Sequence, residues 1–317
     1  MAVLNVNTKI LIKFALMLST LSACTGRFSY EEDPSKVSST LYIDFGETVI
    51  DDDLILEGGH LRTIVRAYPI VKGKRSASPV AEFSAENDLS DGYDQEVEIQ
   101  LVPGEYELWA WADYSDGVSV FYDASDFSKI SLIGDHIGST YLRDAHCGST
   151  SIEIVHEGEQ EPIHIAMDRP LARFALVSED LMEFIVKQSS AGKEVNLDEY
   201  TAVIHYVGFM PDTFSLFTDR PVDSSTGVWF TSPLKQLNDS EVLLGFDYVF
   251  VTGKDSVVTV RVALLDNRGE QVSLTGTIKV PLKRNTLTLL KGKYMNQESS
   301  DWLHIDPDYD GDFNLYI

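Results

Sequence analysis

The sequence predicts an all-β protein built from two tandem β-sandwich domains with one short helix near the start of the second. Three observations carry this. Short runs alternate apolar and polar residues with a period of two, and each is bounded by Gly, Pro, Asn or Asp. One stretch alone has helical spacing. The chain, at 317 residues, is long enough for one or two domains with real cores.

Taken in order, residues 41–45 (LYIDF) form a first candidate strand, and 61–70 (LRTIVRAYPI) a second, ended by Pro69. Residues 96–101 place Val97, Ile99 and Leu101 on one face. Pro103 and Gly104 make a turn, with Pro suited to position i+1 and Gly to the positive φ that follows. Residues 105–114 (EYELWAWADY) return as the partner strand. Its faces are Tyr106, Leu108, Ala110, Ala112 and Glu105, Glu107, Trp109, Trp111. Residues 113–139 are rich in Asp, Ser and Gly and read as loop with short strands such as 118–122. Residues 151–155 and 163–167 alternate again, across an acidic turn.

Asp168, Arg169 and Pro170 then break the pattern. Proline cannot continue a central strand, so the domain boundary falls here, between 41–169 and 170–317. Residues 171–177 open the second half as a strand. Ser178, Glu179 and Asp180 supply a cap and early acids, and Leu181, Phe184 and Ile185 follow at helical spacing until about Gly192. Strands are expected at 200–209, stopped by Pro211, and at 228–231 and 241–251. A long hairpin over 256–265 and 271–282 turns through Asp266, Asn267, Arg268 and Gly269. Residues 285–290 and 313–317 finish the chain. Antiparallel strands at this spacing point to sandwiches.

Composition narrows the function. Lys plus Arg is 25 against 50 Asp plus Glu, a formal charge of −25. Such a surface repels phosphate backbones and anionic headgroups, which argues against nucleic-acid binding. The two cysteines, Cys24 and Cys147, exclude a small disulfide-rich scaffold, so core burial must hold the fold together.

Cys24 is the most informative residue. Residues 1–23 carry Lys9 and Lys13, no acid, and an apolar run of signal-peptide length. That run is too short for a spanning helix, which needs roughly 20 apolar residues. Leu21-Ser22-Ala23-Cys24 reads as a lipoprotein box: small residues fit a peptidase pocket, and the thiol can take a diacylglyceryl group. Residues 1–23 are then a signal peptide, Cys24 the lipidated (palmitate-bearing) N-terminus, and residues 24–40 a tether, with lipid as the only anchor. An ordinary secretory signal followed by a chance cysteine is the plainer alternative.

Candidate chemistry is sparse. The sequence lacks a Gly-rich phosphate loop, HExxH, GxSxG and CxxC, so no enzyme is indicated. His146 and Cys147 adjoin, but neighbours on a strand point to opposite faces and do not pair as base and nucleophile. Asp306, Asp308 and Asp310, followed by Gly311, copy half of an EF-hand loop without its closing Glu. Both a Ca2+ site and a turn braced by Asx hydrogen bonds fit them. Trp109 and Trp111 share a strand face. They suit a glycan platform or, more in keeping with large aromatics, core packing.

Together, the lipoprotein box, the PGEYELWAWADY strand, RDAHCGST, RPLARFALVSEDL, PLKRNTLTLLKG and the DPDYDGDFNLYI tail resemble the fimbrillin superfamily of Bacteroidetes, which builds and anchors type V pili. Within it, the chain is most similar to the Mfa-like, anchor-type fimbrial lipoproteins. The resemblance implies transthyretin-like (Ig-like) sandwiches, a fimbrial location at the outer membrane, and a role in cell adhesion. It also implies binding of other subunits by strand addition, with host or bacterial surface ligands as further partners. Polymerising stalk or tip subunits of that family lose a first strand after an arginine-specific cut. Here Arg27 lies too near the lipid, and Arg62 and Arg66 lie inside an expected strand. The expectation is therefore an uncut anchor or accessory subunit; a surface glycan-binding lipoprotein is one alternative, and a polymerising stalk or tip subunit the second.

Overall fold

Alternation of apolar and polar side chains is converted into sheet almost throughout. The computed structural model describes residues 36–46, 58–89, 95–156, 161–253, 255–297 and 314–316, the last by backbone alone. In the first half the strands are β1 (Val37–Asp44), β2 (His60–Val71), β3 (Lys74–Arg75), β4 (Ala81–Asp88), β5 (Gln95–Leu101), β6 (Gly104–Ser115), β7 (Tyr122–Asp123), β8 (Ile130–Leu132), β9 (Ala145–Ile154) and β10 (Ile163–Ala166). The second half holds β11 (Leu171–Ser178), helix α1 (Leu181–Ser190), β12 (Thr201–Tyr206), β13 (Phe209–Ser215), β14 (Arg220–Thr226), β15 (Trp229–Pro233), β16 (Lys235–Gln236) and β17 (Val242–Phe250). It closes with β18 (Ser256–Leu265), β19 (Gln271–Leu274), β20 (Ile278–Leu282), β21 (Thr286–Gly292) and β22 (Asn314–Tyr316).

The protein is all-β, and its strands pack as sandwiches. In the first, the sheet β10-β1-β5 lies on the sheet β2-β6-β9, with β3 and β4 both pairing β2. Leu41, Ile43, Leu61, Val65, Ile99, Leu108 and Ile165 fill the space between them. In the second, the sheet β16-β17-β11-β21-β22 faces β15-β12-β18-β19, with β20 also pairing β18. Phe174, Leu176, Ile204, Leu244, Val260 and Val262 form that core, and α1 adds Leu181 and Phe184.

A third apolar cluster joins the two. Trp111, Tyr122, Ile130, Phe214, Phe246 and Phe250 meet there, drawn from both halves of the chain. A sheet of order β14-β13-β8-β7 runs across it, pairing Ile130 with Phe214 and Ser131 with Thr213. The change of sandwich falls near Pro170, yet this sheet takes strands from either side of that point.

Several elements differ from the sequence reading, each for a physical reason. Residues 200–209 are two strands, because the chain turns at Val207 and Gly208 before β13 begins. Pro211 does not stop that strand; it sits at a register shift, a place where a missing N–H is tolerated. The strands β14 and β4 carry too few large apolar residues to stand out, and in β13 Pro211 and Asp212 separate Phe209 and Met210 from Phe214. Residues 271–282 break into β19 and β20 because Thr275 leaves the ladder: its N–H donates to the Val262 carbonyl (2.8 Å), and its hydroxyl accepts from the Val262 N–H (2.9 Å). Asp180 stands at the N-cap of α1 but does not cap it with its side chain. Its carboxylate instead receives the Ser178 hydroxyl and the Met295 and Asn296 amides, tying the helix start to the chain after β21.

Two close fits decide how the layers meet. β9 touches the end of β10 through a bridge in which Cys147 and Asp168 exchange backbone hydrogen bonds of 2.8 and 2.9 Å. Gly148 permits this approach, since a Cβ there would lie 2.3 Å from the Ala166 carbonyl oxygen. Between the halves, the buried Asp247 of β17 accepts from Arg143 Nη1 (2.6 Å) and Tyr206 Oη (2.5 Å) and faces His136 Nε2 at 2.6 Å. Burial pushes this carboxyl up, but the Arg143 charge, the His136 contact and the hydrogen bonds outweigh it and hold the carboxyl below its ordinary range.

These fits give two expected outcomes in denaturant titrations. Gly148→Ala is expected to cost about 1–3 kcal/mol, as an overpacked contact against backbone. Asp247→Ala strands the Arg143 guanidinium in the interior and is expected to cost about 3–5 kcal/mol. Unchanged midpoints would contradict the packing described.

Candidate functional site

The candidate site is the slot that holds β1. This strand pairs with β10 in parallel, Leu41 opposite Ile163, and with β5 antiparallel, Leu41 opposite Val97. It is therefore the central strand of its sheet and shows no free edge. Ser39, Leu41, Ile43 and, just past the strand, Phe45 point inward and are buried. Period two sends Tyr42 outward, where it stacks on His164 of β10 with centroids 5.2 Å apart. Ser38 donates its hydroxyl to Glu98 on β5. Burial of Leu41, Ile43 and Phe45 contributes on the order of 5–9 kcal/mol. A small domain's whole stability is about 5–15 kcal/mol, so an emptied slot leaves the first sandwich marginal.

The floor of the slot holds an unusual group. His146 on β9 is buried, and neither ring nitrogen has a hydrogen-bond partner. Its ring meets Phe45 edge-on at 5.3 Å and Tyr114 at 6.3 Å. Burial drives its pKa down to about 4, Asp144 opposing weakly, so the imidazole is neutral in the fold. Cys147, the next residue, faces the opposite way into the cluster between the sandwiches. Burial pushes its thiol up to about 12, against a partial pull from Arg284, so it is no nucleophile near neutral pH.

The arginines of β2 are well protected. Arg62 donates to Asp113 (2.7 Å from Nε), and the Asp113 carboxylate also takes the Trp111 indole N–H at 2.8 Å. Arg66 donates to Glu82 at 2.6 Å and lies over the Phe127 ring. Both sit on a strand hydrogen-bonded on both sides, by β4 and β6. No arginine or lysine occurs between Phe45 and Leu61 in the sequence.

The other sequence candidates divide. Cys24 and the aspartates Asp306, Asp308 and Asp310 lie outside the described residues. Among the described residues no group of His, Cys, Asp and Glu is placed to hold a metal ion. Trp111 is fully buried and presents no ring face to solvent. Trp109 is half-buried, with its ring edge-on to Phe217 at 5.2 Å and Arg75 above it. The pair thus forms packing between the sandwiches rather than a sugar platform. Sequence reasoning missed the orphaned His146, whose isolation depends on what Phe45 and Tyr114 cover. No helix among the described residues is long and apolar enough to cross a membrane.

Comparison with known proteins adds the following. A family model described as "Family of unknown function (DUF6562)" matches residues 30–316. No curated protein matches the sequence. Among solved structures, a candidate adhesin from Bacteroides ovatus is 12% identical, covering 76% of this chain and 82% of its own, with a TM-score of 0.46. The fimbrial anchor protein Mfa2 from Porphyromonas gingivalis is 12% identical over 75% of this chain and 82% of its own, at 0.37. A fimbrial assembly protein from Parabacteroides distasonis is 10% identical over 83% and 93%, at 0.40. Likenesses at TM-scores below 0.5 leave the fold to be read from this chain's own strands.

The buried histidine makes the slot acid-sensitive. Above pH 6.5 it is neutral folded or unfolded. Between 6.5 and about 4 the unfolded chain takes up a proton that the fold refuses, so stability falls as pH falls. The loss from pH 7 to 4.5 attributable to His146 is about 2–3 kcal/mol. Unfolding free energies at the two pH values should differ less in His146→Phe than in the parent by that amount. Equal differences in the two proteins would count against a neutral buried imidazole.

Proposed function

The chain belongs to the family of unknown function DUF6562, and from that premise we propose that it is a non-catalytic cell-surface lipoprotein that anchors or accompanies a fimbrium. The observation that supports this best is the resident first strand: β1 is gripped by β5 and β10, and the neighbouring arginines are tied up on β2. A subunit built to polymerise needs a first strand that can be cut away. A subunit built to stay needs one that cannot.

In this reading the signal peptide is removed, Cys24 carries the lipid, and the residues up to Val37 reach from the outer membrane to the first sandwich. Thirteen steps of extended chain span at most roughly 45 Å, enough to clear a lipid headgroup layer. Residues 41–169 and 170–317 would act as two transthyretin-like modules. Other fimbrial subunits are the partners, met by strand addition at an open sheet edge. The sequence resemblance to anchor-type fimbrial lipoproteins points the same way as the β1 slot.

Mass spectrometry of the mature N-terminus from native cells tests this. The expected result is an acylated Cys24 with residues 37–44 still attached, and release of the protein into the medium or periplasm in Cys24→Ala. A mature start beyond Phe45 would instead identify a processed, polymerising subunit.

A further inference from the structure

A second surface feature lies away from the β1 slot, and its reading is independent of the fimbrial one. β15 is the outer strand of its sheet, and it faces the sheet formed by β14, β13 and β8 across an open groove of about 550 Å³. Period two divides β15 cleanly. Phe230 turns into the core and, with Met210 of β13, forms an apolar floor. Trp229 turns outward and is 53% exposed. Its ring is backed by His205 of β12, with centroids 6.3 Å apart and planes 36° from parallel.

The rest of the groove is acidic and hydroxylic. Asp135 enters from the chain after β8, Asp212 and Thr213 from β13, Ser225 from β14, and Thr231 from β15. Asp212 is held in place from two sides: Thr213 donates its hydroxyl to Oδ1 at 2.9 Å, and Ser225 donates to Oδ2. A carboxylate oxygen has a second lone pair, so both oxygens can accept another hydrogen bond. No lysine or arginine lines the groove. Its one histidine, His136, is already engaged with Asp247 at 2.6 Å. The net charge of the chain, −25, acts in the same direction.

These features select a ligand by chemistry. A half-exposed indole beside an apolar floor offers a flat face for C–H groups. Oriented carboxylate and hydroxyl groups at its rim suit a molecule rich in O–H donors. The absence of a cation disfavours carboxylated or sulfated ligands. The geometry points to a binding site for a neutral saccharide, with Trp229 as the stacking platform and Asp212 and Asp135 as hydroxyl acceptors. A solvent-exposed tryptophan at an edge strand is otherwise a liability.

Native affinity electrophoresis of the purified full-length protein tests the site, using gels that contain yeast mannan, dextran, xylan or barley β-glucan, with polygalacturonate as the anionic comparison. Retardation by at least one neutral polysaccharide and free migration in polygalacturonate are expected. Trp229→Ala should weaken retention about tenfold while melting at the parent temperature, since the ring is exposed. Asp212→Asn, which keeps the shape but removes the charge, should weaken it as well. Met182→Ala, which trims an exposed apolar residue of α1, should leave it unchanged. Free migration in every neutral gel, retardation by polygalacturonate alone, or full retention in Trp229→Ala would overturn the assignment.

Discussion

β1 is held from both sides, and the rest of the molecule is arranged around that grip. A strand at a sheet edge can be exchanged by breaking one ladder. A strand between two others must give up both ladders and uncover the apolar groove beneath it. Here the groove is lined by the side chains that face Leu41, Ile43 and Phe45. Its floor includes a histidine that neither donates nor accepts, so the slot tolerates neither water nor charge well. The first strand is thereby made part of the sandwich rather than an accessory to it.

The same logic of full enclosure governs the meeting of the two halves. β6 buries Tyr106, Leu108, Ala110 and Ala112 on one face and Trp111 on the other. Both faces are covered because β7, β8, β13 and β14 form a sheet that belongs to neither sandwich alone. Asp247 closes the arrangement. It draws Arg143 from the first half and Tyr206 from the second onto one carboxylate. An interior carboxylate is costly unless its partners satisfy it, and this one is satisfied only when both halves are in place. Ring contacts continue the seam outward: Phe217 sits edge-on to Tyr68 and Trp109, with the Arg75 guanidinium 3.5 Å from its ring centroid.

Most strands were legible because alternation is a local property. Residues 105–114 show this well, since the two faces read from the sequence are the two faces seen. What each face meets is not local. Trp109 and Trp111 stand two apart whether they meet solvent or another sandwich, and only the sheet across the boundary decides it. The same limit hid β4 and β14, whose small and polar residues gain their pairing from β2 and β13 rather than from their own pattern. The helix was read correctly from Leu181 and Phe184, but the role of Asp180 was not, because its partners come from residues 115–116 positions further along the chain. The groove beside Trp229 was invisible for the same reason. Its polar and aromatic groups come from four separate segments.

Hydrogen exchange at the amides of β1 in the intact protein tests the central claim most directly. If the strand is a permanent member of its sandwich, the Leu41 and Ile43 amides exchange only through global unfolding, as slowly as those at the centre of β6. Exchange of these amides within minutes, while β6 stays protected, would mean that the strand leaves its slot on its own and is no fixed part of its sandwich.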